Sequence, residues 1–449
     1  MMRSMFSGVS GLRAHQTRMD VIGNNVANVN TVGFKSGRVT FQEIFNQTLK
    51  GAGAPDAATG RGGQNPMQVG LGIGVGAVDT ITTRGSLQRT DNPTDLSVEG
   101  EGYFIVRGGN ADTFRFTRAG NFGIDKLGNL VAGNGMNVYG WQQYTRNADG
   151  SFTFDTEKPI EAINLYSDVY NKNKRAIAAK STSNAIFAGN LDASKAIVAA
   201  PVDSTNAEFT VPMTVYDSLG NNYKVNIYFA KASTGLVSGV TNTTWNWSMD
   251  GGSGASALAA SGATAAGGTI TFDDNGQIVS GASGMSFDVD IKPPATVGSD
   301  AFRVKLDFTK LTMYASDSSA KPTNIDGYAT GNLVTFNIGS DGILTGIYSN
   351  GQQQPLGLVA LASFENPGGL QKVGDNMFIP TTNSGDFKKG LKAGSEGVGT
   401  LNPGTLEMSN VDLSKEFTDM IITQRGFQAN SRIITTSDEM LQELVNLKR

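Results

Sequence analysis

Four carboxylates, Asp91, Asp95, Glu99 and Glu101, fall close together in one stretch of the chain. Two such groups in different environments could act as general acid and general base. Their setting is RTDNPTDLSVEGEG, where turn signals separate short apolar runs. There Asp and Glu cap turns or face water, so caps are expected rather than a catalytic pair. A loose dinucleotide fingerprint occurs at Gly72, Gly74 and Ala77 in GLGIGVGA. Phosphate binding needs the glycine turn to open a helix whose N-terminus faces the pyrophosphate. The next residues, AVDTITTRG, are β-like, so the segment reads as a glycine-alternating strand close to a neighbour. His15 is the single histidine and there is no cysteine. That composition excludes thiolate metal sites, disulfides, cysteine nucleophiles and histidine clusters. His15 reads as a solvated or subunit-contacting imidazole. No P-loop, nucleophile elbow or zincin motif is present. The expectation is no enzyme, no cofactor, and no catalytic, cofactor-binding or metal-binding residue.

The elements that carry these residues begin and end in helix. Met5, Leu12, Met19 and Val26 recur every seven residues, with Val9 and Ile22 beside them. They form one apolar stripe on a helix of about three heptads, ~30 Å long. The helix ends in ANVNTVGF, where Asn and Gly favour an exit. At the other end Leu413, Met420, Phe427, Ile434 and Leu441 recur with the same period, and Phe417, Leu444 and Val445 partly fill a second stripe. Gln424, Ser431 and Asp438 interrupt it. SNVD, Ser409 to Asp412, supplies side chains that can cap the start, and Lys448 and Arg449 complement the negative end of the helix dipole. Matched stripes at opposite ends suggest that the helices pair as a coiled coil, with two separate amphipathic helices on a globular body as the other reading.

Between the helices the sequence alternates strand and turn. The 57 glycines, together with abundant Asn, Thr and Ser, suit short strands joined by tight turns. GAGAPDAATGRGGQNP, Gly51 to Pro66, reads as loop or extended linker. Hairpin signals occur at DSLGN (Asp217 to Asn221) and DDNG (Asp273 to Gly276), and a low-complexity loop runs from Gly251 to Gly268. A composition shift near Lys158 to Lys180 marks a boundary, and strand character like that of the first β region resumes near Asn332. The expected fold is mainly β and multidomain, with nested β domains between N- and C-terminal α-helices that pair as a coiled coil. Residues 1–27 and 411–449 form the helical part, and 28–75 and 381–410 the linkers. Residues 76–158 and 327–380 form an inner β domain, and 159–326 an inserted outer β domain.

The chain carries 36 basic and 40 acidic residues, a net charge of -4. There is no electrostatic footprint for nucleic acid or an anionic membrane. No stretch approaches the length of a transmembrane helix, and MMRSMFSGVSGLRAHQTRMDVIG lacks the apolar run of a cleaved signal peptide. Export, if it occurs, would use a route without one.

SGLRAHQTRMDVIGNNVANVNTVGFK (Ser10 to Lys35) resembles the N-terminal signature of the flagellar axial proteins, the family of rod, hook and hook-associated subunits. Its motif positions here are Asn25, Ala27, Asn28, Asn30, Thr31, Gly33 and Phe34. SNVDLSKEFTDMIITQRGFQANSRIITTSDEMLQELVNL (Ser409 to Leu447) is similar to the family's closing helix, with Asn410, Gln424, Arg425 and Asn430 at motif positions. RGSLQRTDNPTDLSVEGEGYFIV (Arg84 to Val106) and FTRAGNFGIDKLGNLV (Phe116 to Val131) look like the family's inner β domain. The large insertion, with TVYDSLGNNYKVNIYF (Thr214 to Phe229) and TFDDNGQI (Thr271 to Ile278), resembles the outer domain of hook subunits. NGQQQPLGLVALASFENPGGLQKVGDNMF (Asn350 to Phe378) looks like the return to the inner domain. The resemblance implies a subunit of a curved, torque-transmitting tube around an export channel, placed outside the cell in the hook and basal body and exported without a cleaved signal. It implies a helical homopolymer as first partner, then distal rod subunits, hook cap, hook-filament junction proteins and the flagellar export apparatus. A distal rod subunit, an exported β-rich adhesin and an enzyme within the outer domain are the alternatives.

Overall fold

The computed structural model describes residues 2–447 apart from 56–59, 61, 109–112, 148–150, 167–173, 199–201, 238–239, 251–266, 280–285, 294–296 and 396. Most of the Gly251 to Gly268 loop, part of the Gly51 to Pro66 linker, and both Lys448 and Arg449 lie outside the described residues. The chain divides into two compact units. The first is Met1–Tyr170, Phe336–Thr345 and Pro355–Arg449, and the second is Asn171–Thr335 and Gly346–Gln354.

In the first unit, helix α1 (Met2–Ala27) lies against helix α2 (Leu413–Asn446), so the terminal helices do pair. The partners run antiparallel, with Gly8 near Ile434, His15 near Gly426 and Asn25 near Glu416. Asp412 caps α2, its carboxylate accepting from Ser414 N at 2.9 Å and Lys415 N at 3.3 Å. This is the cap expected of the SNVD run, and it fills amides that have no intrahelical partner.

The stretch expected as extended linker is more ordered than a linker. Strand Gly37–Glu43 pairs antiparallel with Ile73–Thr80, and Asn46–Lys50 pairs with Met67–Gly70. This ribbon lies against α1, where Ser10 Oγ accepts from Ile73 N and Phe41 meets His15 edge-on. The alternation from Val69 to Val78 marked one strand, while its partner alternates over only a few residues, at Val39 and Phe41. The returning segment 381–410 also pairs, through Thr400–Pro403 on Leu96–Glu99 and Thr405–Glu407 on Leu87–Arg89. A larger sheet that includes Tyr103–Arg107, Arg115–Thr117, Asn137–Trp141 and Gln353–Ala362 carries an aromatic core of Tyr103, Phe116, Trp141, Phe364 and Phe378. Glu161 and Ala162 pair with Gly140 and Tyr139, and Ile163 and Leu165 are fully buried. The first unit therefore extends past the expected boundary at residue 159, because backbone pairing outweighs the local shift in composition.

Among the described residues, the body of the second unit consists of two four-stranded sheets. One has the order Ser286–Ile291, Phe302–Tyr314, Asn184–Asp192, Lys321–Ile325, and the other runs Phe209–Tyr216, Asn222–Val237, Val240–Asp250, Gly267–Phe272. Their inner faces share one core that includes Phe187, Phe229, Trp245, Trp247, Phe272 and Phe308. At DSLGN the Asp217 carboxylate accepts from Leu219 N and Asn221 N while Gly220 takes φ +90°, an Asx turn closing a hairpin. Asp273 does the same for Asn275 N and Gln277 N.

Candidate assembly interface and its junction

The surfaces that α1 and α2 press together are small and polar. On α1, Gly8, Gly11, His15, Arg18 and Asn25 meet α2 at spacings of three, four, three and seven, and Ala14 and Ile22 are buried on the same helix. A Cβ at Gly11 would stand 2.8 Å from the Asn430 side chain, and one at Gly426 would stand 2.8 Å from the His15 ring. Glycine at these positions lets the two backbones approach, and no other residue fits without displacing its neighbour. Arg18 donates to Asp419 at 2.9 Å, and Asn25 donates to Glu416 at 3.2 Å. On α2 the buried side chains are Thr423 and Ser437, each hydroxyl donating to a carbonyl one turn back.

This differs from the apolar stripe expected from the heptads. Only Ile22 of that stripe is buried. Met5, Val9, Leu12, Met19, Val26, Met420, Ile434 and Leu441 are half-buried at the margins. Leu413, Phe417, Phe427 and Leu444 are exposed and do not fill the intrachain contact, and Phe417 shows 50 % of its surface. The period was visible from large apolar residues, whereas the contact is made by residues too small or polar to register in such a pattern. Asn430, from the motif set, sits in the contact; its amide donates to Gly426 O at 3.0 Å. Gln424 and Arg425 are exposed, as are Ala27 and Asn30.

The rest of the motif set builds the junction between helices and sheet. Buried Asn25 accepts from Gly37 N and donates to Gly37 O, folding the chain back after α1. Thr31 donates to Asn28 at 3.1 Å within the exit turn. Gly33 has φ +69°, its N–H donates to Glu407 O at 2.7 Å, and a Cβ there would meet Ala119 N at 2.6 Å. Phe34 is buried beneath the Lys372 ammonium. Asn410 accepts from Ser36 N and donates to Ile81 O and Thr83 O, tying the start of α2 to the segments that flank the Gly37–Thr80 pair.

Beneath this turn lies an ion cluster that the sequence reading missed. Lys35, Arg118 and Glu407 are all nearly fully buried. Lys35 Nζ is 2.6 Å from Glu407 Oε1 and also donates to Thr83 O, while Arg118 donates to Glu407 Oε2 at 3.3 Å. Arg118 also lies over the Tyr103 ring. Burial holds the Lys35 pKa below its ordinary value despite the opposing pull of Glu407. The only available sequence signal was a Lys inside the motif. Its partner lies 372 residues away, beyond the reach of any local pattern.

The residues weighed for chemistry are used structurally. Asp95 accepts from Thr90 and Asn92, Glu99 binds Arg84 and Asn402, Asp91 binds Arg89, and Glu101 lies 3.8 Å from Arg118. GLGIGVGA leads into the Ile73–Thr80 strand, so it opens no helix. Among the described residues no group of three metal-ligating side chains comes together. No described helix is long and apolar enough to cross a membrane.

Four family models match along the chain. They are a flagella basal body rod protein model at residues 5–35, a flagellar hook protein FlgE/F/G D1 domain at 97–164, a flagellar basal body protein FlaE D2 domain at 190–328, and a flagellar basal body rod FlgEFG protein C-terminal model at 402–447. The flagellar hook protein FlgE of Borreliella burgdorferi is 43% identical, with all of both chains covered. The chain belongs to the flagellar hook protein family. FlgE of Treponema pallidum is 41% identical, again over the whole of both chains. The flagellar basal-body rod protein FlgG of Bacillus subtilis is 30% identical with the same coverage. The rod-type model at residues 5–35 takes in most of α1 and its exit turn, and the C-terminal model at 402–447 takes in α2 and Glu407.

One consequence for this hook-family chain is a pH dependence of the helix pair. His15 is half-buried between Gly426 and Phe41, and its Nδ1 is buried without a hydrogen-bond partner among the described residues. Burial, then the Arg18 charge, lowers its pKa below 6.5. A separated α1 would bind a proton from about pH 6.5 downward while the paired helix resists it, so pairing weakens as pH falls below that value. Glu416 acts in the opposite sense at lower pH. Burial raises its pKa, so pairing strengthens as pH falls through that raised value. A titration of the single imidazole by NMR should find its midpoint below 6.5, and a midpoint at or above it contradicts this placement.

Proposed function

We propose that the chain polymerises with copies of itself into the tube of the bacterial flagellar hook. The exposed apolar face of the helix pair supports this most directly. Phe417, Ile421, Ile422, Met440 and Leu444 remain exposed on α2, while the intrachain contact uses glycines and polar side chains such as His15, Asn430, Arg18 and Asp419. Large apolar side chains left outside in this number require further partners. Head-to-tail contacts between identical copies generate open helical filaments. In this reading the helix pairs line the channel and the β domains build the tube around it. Torque passes from rod to filament through contacts that re-form as the tube bends. The role is structural and the assembled chain lies outside the cell in the hook, with distal rod subunits, cap, junction proteins and export apparatus as further partners.

The 30% identity to a rod protein over the whole of both chains keeps a rod subunit as the second reading. Electron microscopy of the concentrated, purified chain separates them: curved tubes are expected, straight rods would favour a rod subunit, and unpolymerised particles would overturn both.

A further inference from the structure

The second unit's chain crosses into and out of its two-sheet body through a narrow pair of segments, and the pairing there contains a step. On one side the partners are Ala176 with Asn332, Ile177 with Gly331, and Lys180 with Tyr328. On the other side they are Ala185 with Ile325 and Ile186 with Asn324. The register slips by two residues between Lys180 and Ala185, and at the step the Ser183 and Asn184 amides turn to a side chain. The Asp326 carboxylate fills the gap. It accepts from Ser183 N at 2.8 Å, Asn184 N at 2.9 Å, Ser183 Oγ at 2.5 Å and Lys180 Nζ at 3.0 Å.

Such a neck would bend where regular pairing between its two segments is interrupted, between the Lys180–Tyr328 and Ala185–Ile325 pairs. We propose that Asp326 is a latch that closes this hinge, making the neck and the two-sheet body move together. Neighbouring contacts are arranged to match. Thr182 exchanges hydrogen bonds with Tyr216, at 2.9 Å from its N–H and 3.0 Å to its hydroxyl. Gly327 closes on Thr182 with no room for a side chain, and Gly220 closes on Ala179. Burial pushes the Asp326 carboxyl up, but the hydrogen bonds from Ser183 and Asn184 and from Lys180 outweigh it and hold its pKa far below the usual range. The latch is thus ionised at any pH near neutrality and does not open by ordinary acidification. With the neck closed, bending in an assembly of this chain falls to contacts other than this one.

Hydrogen exchange on the full chain carrying Asp326→Ala tests the latch. Two charge-assisted bonds to backbone amides disappear, so Ser183 and Asn184 amides should exchange about ten- to hundredfold faster. Amides of the body's core strands, such as Ile227 and Phe229, should be unchanged. Asp326→Asn keeps one carbonyl acceptor and should lie between. Unchanged exchange at Ser183 and Asn184 would overturn the proposal. So would a parallel rise across the body's core, since Asp326 would then be a general stability residue. If Asp326→Ala does not fold, the Asn variant is read by the same two criteria.

Discussion

Glu407→Ala is expected to destabilise the first unit by about 3–5 kcal/mol, the range for stripping one partner from a buried ion pair. The carboxylate faces both Lys35 and Arg118 and also accepts from Gly85 N at 3.1 Å. Without it two buried cations share a site whose remaining carboxylate, Glu101, is exposed and 3.8 Å from Arg118, and an amide loses its acceptor. A loss of that size takes up much of the ~5–15 kcal/mol by which a domain is stable. Calorimetry should show the first unit's transition moving to lower temperature while the second unit's stays in place. Replacing the whole cluster, Lys35→Met with Arg118→Met and Glu407→Leu, should recover much of the loss, because exchanging a buried ion network for apolar groups is often neutral or better. Wild-type melting of Glu407→Ala would mean that the cluster does not hold the junction.

Gly11→Leu and Phe427→Asp should both abolish tubes, but for different reasons that a monomer measurement separates. A side chain at Gly11 collides with Asn430, so the helices cannot close, and overpacking of this kind costs about 1–3 kcal/mol or more. The soluble chain should lose helical signal. Phe427 is 37% exposed at the edge of the contact. Its replacement by Asp should leave the monomer's helix pair intact and block only the apolar contact with a neighbour, where an unpaired charge is costly to bury. Assembly by Phe427→Asp at the wild-type concentration would remove the exposed face from the polymer contact. Unchanged helicity and assembly of Gly11→Leu would remove the glycine contact between α1 and α2.

How much was legible depends on the range of each interaction. The terminal helices, the Asp412 cap, the chain exit near Gly33 and the Asx turns at Asp217 and Asp273 depend on residues a few positions apart. Backbone geometry and local hydrogen bonding decide them, so periodicity and turn chemistry read them directly. The mainly β fold between two end helices, and the flagellar resemblance, were legible for the same reason; that the helices pair was only suggested by their matched stripes.

The sequence by itself therefore determined the elements, their order and the absence of cysteine or histidine-cluster chemistry. The tertiary structure decided which faces meet. Gly8, Gly11 and Gly426 matter through the space they leave, which only the opposing helix defines. Glu407 meets Lys35, and Asp326 meets Ser183, across chain separations that carry no periodic trace. The linker became a ribbon because Arg38 to Glu43 found a partner further along the chain, in a register running from Gly37 with Thr80 to Glu43 with Ile73. Such pairings are selected by the summed burial and hydrogen bonding of the whole fold, and no short window of sequence contains that sum.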